Sequence, residues 1–223
     1  MASKPKDRVL GSDYSNFFRN KTTFLTGATG NLGGCLLYKL TVVLEVRRVY
    51  VLCRGSAARA RIKMTKNMPE QIKEVLAHKS IVFIVGDIME PNFGISALNL
   101  LEMEETVEII INSAADVSLR APLSSAISRN CMPPLELARM ATDFQRLEQF
   151  IQISTAYCNS FLPDGTVEEE IYPLDDPESE LETFSRTGTS PYVSRFPAPY
   201  YYSKVIIPFA GVPVSRLVIL MLS

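Results

Sequence analysis

The chain has little of the chemistry that marks several protein classes. Its four cysteines, Cys35, Cys53, Cys131 and Cys158, are widely spaced with no CxxC pair. That spacing argues against a zinc site and a disulfide framework, favours a reducing compartment, and leaves the cysteines as core residues of sheet and helices. The single histidine, His78, sits in a polar HKS turn ahead of an apolar run and reads as an exposed loop residue, not a base. A formal net charge of −1 leaves no basic excess for nucleic acid or for a polybasic membrane contact. No apolar run approaches the ~20 residues of a membrane span. The N-terminal MASKPKDRVLGSDYSNFF lacks the apolar core of a signal peptide. There is no internal repeat. These absences predict a cytoplasmic globular protein with no transmembrane segment and no nucleic-acid partner.

What is present is 223 residues, 47% of them hydrophobic, enough for one ordinary domain with a real core. Short apolar runs alternate with longer amphipathic segments. TTFLT (22–26), VYVLC (49–53), IVFIV (81–85), VEIIIN (107–112) and FIQIS (150–154) read as strands. They are continuously apolar, as strands are when helices cover both faces of a sheet. Between them, Leu36, Leu37, Leu40, Val43 and Leu44 recur at helical spacing. A basic helical stretch over 57–78 is interrupted by Pro69, Ser96 caps a helix in SALNLLEME, and a further helix spans 123–141. The terminal LVILMLS reads as a buried strand. The pattern predicts an α/β fold, a doubly wound parallel sheet of Rossmann type. Residues 1–20 are expected to be an N-terminal extension and 21–223 the dinucleotide-binding domain. Within that domain, 159–198, rich in Pro, Gly, Ser and acid, reads as a long excursion without periodicity, and an acidic run of this kind is usually solvated.

Between the first strand and the first helix lies TGATGNLGG. Gly27, Gly30 and Gly33 allow a tight turn, close approach of backbone amides to a pyrophosphate, and close packing of helix on sheet. The helix N-terminus adds free N–H groups and partial positive charge. Thr26, Gly27, Gly30, Asn31, Leu32 and Gly33 are therefore the residues expected against a dinucleotide. The second strand ends at Cys53-Arg54-Gly55 where an acidic residue would meet a free ribose 2′-hydroxyl. A guanidinium matches a 2′-phosphate instead, so Arg54 predicts NADP(H) over NAD(H), with Arg61 and Lys63 on a solvated helix face.

PYYYSKVIIP (199–208) places Tyr200 and Lys204 four apart, on one face if the segment is helical. An ammonium beside a phenol stabilises phenolate and draws its pKa toward the working range, which makes an acid–base pair. Tyr201 and Tyr202 face elsewhere and read as packing or substrate-wall residues.

TFLTGATGNLGG, YVLCRG, the GDI at 86–88, INSAAD at 111–116, ISTAY at 153–157, EEEIYP at 168–173 and YYYSK at 200–204, in that order, resemble the extended short-chain dehydrogenase/reductases. More narrowly, they resemble the NADPH-binding domain of the male-sterility type of fatty acyl-CoA reductase and the related thioester-reductase domains. The resemblance runs from Lys21 to Lys204. It implies that Asp87 and Ile88 hold the adenine, that Ala114 and Ala115 line the cofactor cleft, and that Asn130 takes the place of the family's helix asparagine. It also implies that Thr155, with Ser154 second, joins Tyr200 and Lys204 at the substrate carbonyl. The activity implied is NADPH-dependent reduction of a fatty acyl-CoA or carrier-bound acyl thioester to aldehyde or alcohol.

The chain departs from the family pattern in three places. Pro208 should kink or stop the helix that carries Tyr200 and Lys204, and only VIIPFA separates Lys204 from Gly211, so that helix is expected to be short. GVPVSRLVILMLS resembles the start of a sixth strand, after which the substrate-binding C-terminal portion is expected to be missing. Pro133 and Pro134 predict a bend in the preceding long helix. Two alternatives follow. One is a non-catalytic, truncated cofactor-binding fragment, with self-association or a partner chain covering the missing substrate region. The other is a nucleotide-sugar epimerase or dehydratase of the extended family.

Overall fold

The computed structural model describes residues 13–168, 172, 174, 176–206 and 217–222. Six strands form one all-parallel sheet: β1 (Thr22–Thr26), β2 (Arg48–Cys53), β3 (Ile81–Val85), β4 (Ile109–Asn112), β5 (Gln149–Thr155) and β6 (Leu217–Leu222). Their order is β3-β2-β1-β4-β5-β6. The order reverses between β1 and β4, and such a reversal opens a crevice at the carboxyl ends of the strands.

Helices cover both faces, which is why β1, β2 and β4 are buried along their whole length save the half-buried Arg48. On one face Leu25, Val51 and Ile111 pack against Leu37, Leu40, Met64 and Val75, from the segments around α2 (Asn31–Tyr38), α3 (Ala57–Asn67) and α4 (Ile72–Ala77). On the other, Phe24, Tyr50, Ile110 and Phe150 meet Met103 of α5 (Ala97–Thr106) and Leu137 of α7 (Met132–Ala141). The expected basic helix is split into α3 and α4 around Pro69, and Ser96 caps α5 by accepting a hydrogen bond from the Asn99 amide at 3.4 Å. The long helix expected over 123–141 is broken at Cys131 into α6 (Leu123–Asn130) and α7, with Pro133 and Pro134 buried in the first turn of α7. Proline is tolerated there because first-turn N–H groups lack intrahelical partners.

Three expectations need correction. The excursion is not without regular structure: α8 (Pro177–Thr187) lies within it, with Asp176 accepting from the Ser179 amide at its start and Gly188 in the left-handed region at its end. β6 is an edge strand, and Val218 and Leu220 on it remain 37% and 39% exposed, so it is not buried on both faces. Cys35 is exposed on α2, unlike the other three cysteines. The N-terminal extension carries α1 (Asp13–Phe18), which brings Phe18 against the core, and this is compatible with the expectation. His78 is exposed, with Nδ1 3.1 Å from the Ser80 hydroxyl. Pro208, the GVPV at 211–214 and most of EEEIYP lie outside the described residues.

Candidate active site

The crevice runs along the carboxyl ends of the strands in two connected parts that share Gly27, Ala115 and Val117. The wider part, ≈ 630 Å³, is lined by Arg54, Asp87, Ile88 and Arg129 among others. The narrower, ≈ 420 Å³, brings together Gly30, Asn31, Leu32, Gly33, Ser154, Thr155, Tyr200 and Lys204. Residues from the glycine turn, the end of β5 and α9 (Pro199–Val205) thus face one space.

The glycine turn is shaped by contact as well as by conformation. Gly27 has φ +73°, and a Cβ there would lie 2.7 Å from the Ala114 nitrogen. A Cβ on Gly33 would lie 2.1 Å from the Gly27 oxygen. No residue with a side chain fits either place without moving backbone. Side chains cap α3, α5 and α8, but none caps α2, which starts after Gly30 at the cleft. Its first amides are available to an anion, so the turn fits a dinucleotide pyrophosphate.

Thr26 and Ala114 stand beneath the cleft, not on its wall. The buried Thr26 hydroxyl donates to Asn112 Oδ1 at 2.5 Å and accepts from the amides of Ser113 and Ala114 at 3.2 and 3.1 Å. Asn112 Nδ2 donates to Gln152 Oε1 at 2.8 Å, and Gln152 Nε2 donates to the Ile153 carbonyl at 2.8 Å. The same carbonyl accepts from Lys204 Nζ at 2.8 Å. A polar ladder therefore crosses β1, β4 and β5 inside the sheet and ends at the lysine. The local signal for Asn112 and Gln152 is slight: Asn112 ends the apolar run of β4, and Gln152 stands between Ile151 and Ile153 in β5.

Lys204 is 7% exposed, and burial lowers its pKa to about 8, against the smaller opposing influence of Cys131 and Cys158. Tyr200 is half-buried, and burial, with Tyr201 and Cys158 adding to it, holds its phenol above the ordinary value. The lowered phenol expected from the Tyr–Lys spacing is absent, because loss of water around Tyr200 outweighs any help from the lysine. Thr155 lines the cleft with its hydroxyl 3.4 Å from the Tyr157 amide, which it accepts, and Ser154 lines it too. Asn130 clamps the loop after β4: its Oδ1 accepts from the Asp116 amide at 2.8 Å, and its Nδ2 reaches the Asp116 carbonyl at 3.0 Å and the Ser203 hydroxyl at 3.1 Å. At the wide end Arg54, 77% exposed, stands 3.9 Å from Asp87. Across the same space Arg129 pairs with Asp116 at 2.7 Å and, with the adjoining Ser118 amide, holds that carboxyl below its ordinary value.

A parallel sheet of this order, with a glycine turn at its reversal and Tyr, Lys and hydroxyl residues beside it, defines a Rossmann-type dinucleotide-binding chain. The NAD-binding family model described as male sterility protein matches residues 25–207, and the chain belongs to that family. Fatty acyl-CoA reductase 2 of Mus musculus is 31% identical over 206 residues, covering 85% of this chain and 40% of the relative. Fatty acyl-CoA reductase wat of Drosophila melanogaster is 32% identical over 207 residues, covering 85% of this chain and 39% of the relative. The chain therefore spans less than half the length of these relatives. Among solved structures, the terminal R domain from the myxalamid PKS-NRPS biosynthetic pathway superposes with a TM-score of 0.70 at 26% identity, over 91% of this chain and 48% of that one.

Proposed function

We propose that this chain is the cofactor-binding and reducing part of an NADPH-dependent acyl-thioester reductase, acting on fatty acyl-CoA or a carrier-bound acyl group. The observation that carries the reading is convergence: Tyr200, Lys204, Thr155 and the glycine turn, from distant parts of the chain, line one cleft. The names of the two fatty acyl-CoA reductases support the thioester as substrate class.

The residues that would hold the dinucleotide are the glycine turn and the first amides of α2 at the pyrophosphate, Asp87, Ile88 and Ala115 at the adenosine, and Arg54 at a 2′-phosphate. A bound NADPH supplies hydride to the thioester carbonyl carbon. The hydroxyls of Tyr200 and Thr155 donate hydrogen bonds to the carbonyl oxygen, where negative charge develops. Collapse of that oxyanion expels the thiolate and leaves an aldehyde, and a second hydride would give the alcohol. Lys204, held by the Ile153 carbonyl, keeps positive charge at this end of the cleft below about pH 8.

The test is NADPH oxidation with a long-chain acyl-CoA, with aldehyde and alcohol assayed and Tyr200→Phe as control. Acyl-CoA-dependent oxidation lost in the variant, with NADPH binding retained, is the expected result; equal rates in both proteins would remove Tyr200 from the mechanism. A second reading is dinucleotide binding without turnover, and a folded protein that binds NADPH but oxidises none would establish it. Self-association or a partner chain against the exposed edge of β6 belongs to the same proposal, and sedimentation over a range of concentrations reads it directly.

A further inference from the structure

Helix α9 has seven residues, two turns at most, and so short a helix does not hold itself in place. Three successive side chains tie it down. Because neighbours on a helix point about 100° apart, the three ties grip it from different sides. Lys204 reaches the Ile153 carbonyl on β5. Ser203 accepts from Asn130 of α6, and its carbonyl accepts from the Cys131 thiol at 3.2 Å. Tyr202, fully buried, points away from the cleft, and its hydroxyl donates to Glu180 Oε2 of α8 at 2.5 Å.

Glu180 is the unexpected member. It is 4% exposed, whereas the other described acidic residues of the excursion are exposed, and it belongs neither to the cleft nor to the Rossmann core. The Ser190 hydroxyl donates to the same oxygen at 2.8 Å and lies 2.7 Å from the Tyr202 oxygen, closing a triangle between α8, the following loop and α9. Of the three ties, this alone comes from the excursion.

We propose that Glu180 is a positioning residue: through Tyr202 and Ser190 it fixes the rotation of α9 about its axis, and with it the direction in which Tyr200 and Lys204 enter the cleft. The excursion is then part of the reducing centre and not an ornament on it. The inference rests on the reading that Tyr200 and Lys204 perform the chemistry, but its central test does not need turnover.

That test follows Lys204 by NMR titration of isotope-labelled lysine, with the resonance assigned through Lys204→Met, in wild type, Glu180→Ala, Glu180→Gln and Tyr202→Phe. Wild-type Lys204 should titrate near pH 8. In Glu180→Ala and Tyr202→Phe the loosened helix should admit water to the lysine, moving its pKa back toward the ordinary 10.5 and speeding hydrogen exchange of the α9 amides about tenfold or more, while the β1 and β4 amides are unchanged. Glu180→Gln keeps a carbonyl acceptor for both hydroxyls and should behave as wild type. In turnover, kcat should fall about tenfold or more in the first two variants, with the KM for NADPH within about threefold. A purely structural role would lower the melting temperature without moving the Lys204 titration in the molecules that remain folded. An unmoved titration in Tyr202→Phe, which deletes a single oxygen and keeps the test available if Glu180→Ala does not fold, overturns the proposal; so does a Glu180→Gln as impaired as Glu180→Ala. Absence of turnover in wild type would sink the reductase reading and leave this one to be judged by the titration.

Discussion

Arg54 shows how much a single side chain can decide. It lies at the wide end of the cleft with its guanidinium mostly in solvent and Asp87 3.9 Å away. If it reads a 2′-phosphate, Arg54→Ala should weaken NADPH binding about tenfold, toward the low end for a charge-assisted pair because the site is exposed, and leave NADH within about twofold. Asp87, no longer neutralised, would then repel the 2′-phosphate. Fluorescence titration with both cofactors measures the ratio, and equal losses would take Arg54 out of cofactor choice. Arg54, the glycines, Tyr200 and Lys204 were legible because each belongs to a local pattern: a turn after a strand, a strand end, an i,i+4 pair. Glu180, Asn112 and Gln152 were not, because a buried polar residue is defined by partners far along the chain, and composition alone makes Glu180 one more acid in an acidic run.

Elements were legible where punctuation and periodicity agreed. β1 to β5 follow from apolar runs, and the break at Cys131 follows from the two prolines just after it. The helix α8 carries start and stop signals as well, Asp176 before it, Pro177 in its first turn and Gly188 after it, but a helix so rich in acid shows little apolar face; Leu181 and Phe184 find their cover in the cluster that includes Ile127, Phe196 and Tyr202. The turn between β1 and α2 offers a sharp contrast at this scale. Gly33→Ala puts a methyl group into the Gly27 backbone and should destabilise by about 3 kcal/mol while abolishing dinucleotide binding. Gly34→Ala, on the next residue, meets the flexible Met68 side chain at 3.2 Å and the Ala28 oxygen at an ordinary 3.7 Å, and gains helix propensity, so it should stay within about 1 kcal/mol of wild type. Urea unfolding of the two variants is the measurement, and similar losses in both would mean that the turn tolerates backbone movement.

For the whole molecule, the buried lysine links activity to stability. Its ordinary value of 10.5 falls to about 8 in the fold, so between those pH values the unfolded chain binds more protons than the folded one, and stability rises with pH across that window. Below about pH 8 the folded protein carries the full burden of a buried ammonium, roughly 3 kcal/mol for a fall of this size. Lys204→Met, which keeps length and removes charge, is expected to gain stability relative to wild type at pH 7 and to lose about 2 kcal/mol of that gain by pH 10. Denaturant unfolding at the two pH values checks it, and a difference independent of pH would show that the ammonium is not buried as described. The six-strand order itself was legible only as a class, since nothing local in a run such as IVFIV says which neighbour it takes.

The ladder from Thr26 to Lys204 also says something about how the chain comes to exist as a machine. Thr26 meets Asn112 across 86 residues of sequence, Ser203 meets Asn130 across 73, and Lys204 meets Ile153 across 51. None of these closures can precede synthesis of its later partner, and contacts so distant in sequence make folding slow. During translation the glycine turn, β1 and β2 emerge early and wait, with Asn112, Gln152 and finally the short helix arriving last. The cleft is thus assembled from the glycine turn toward α9, and a nascent chain released before α9 would carry a half-built cleft and an unfinished sheet edge, the kind of species that quality control must hold or remove.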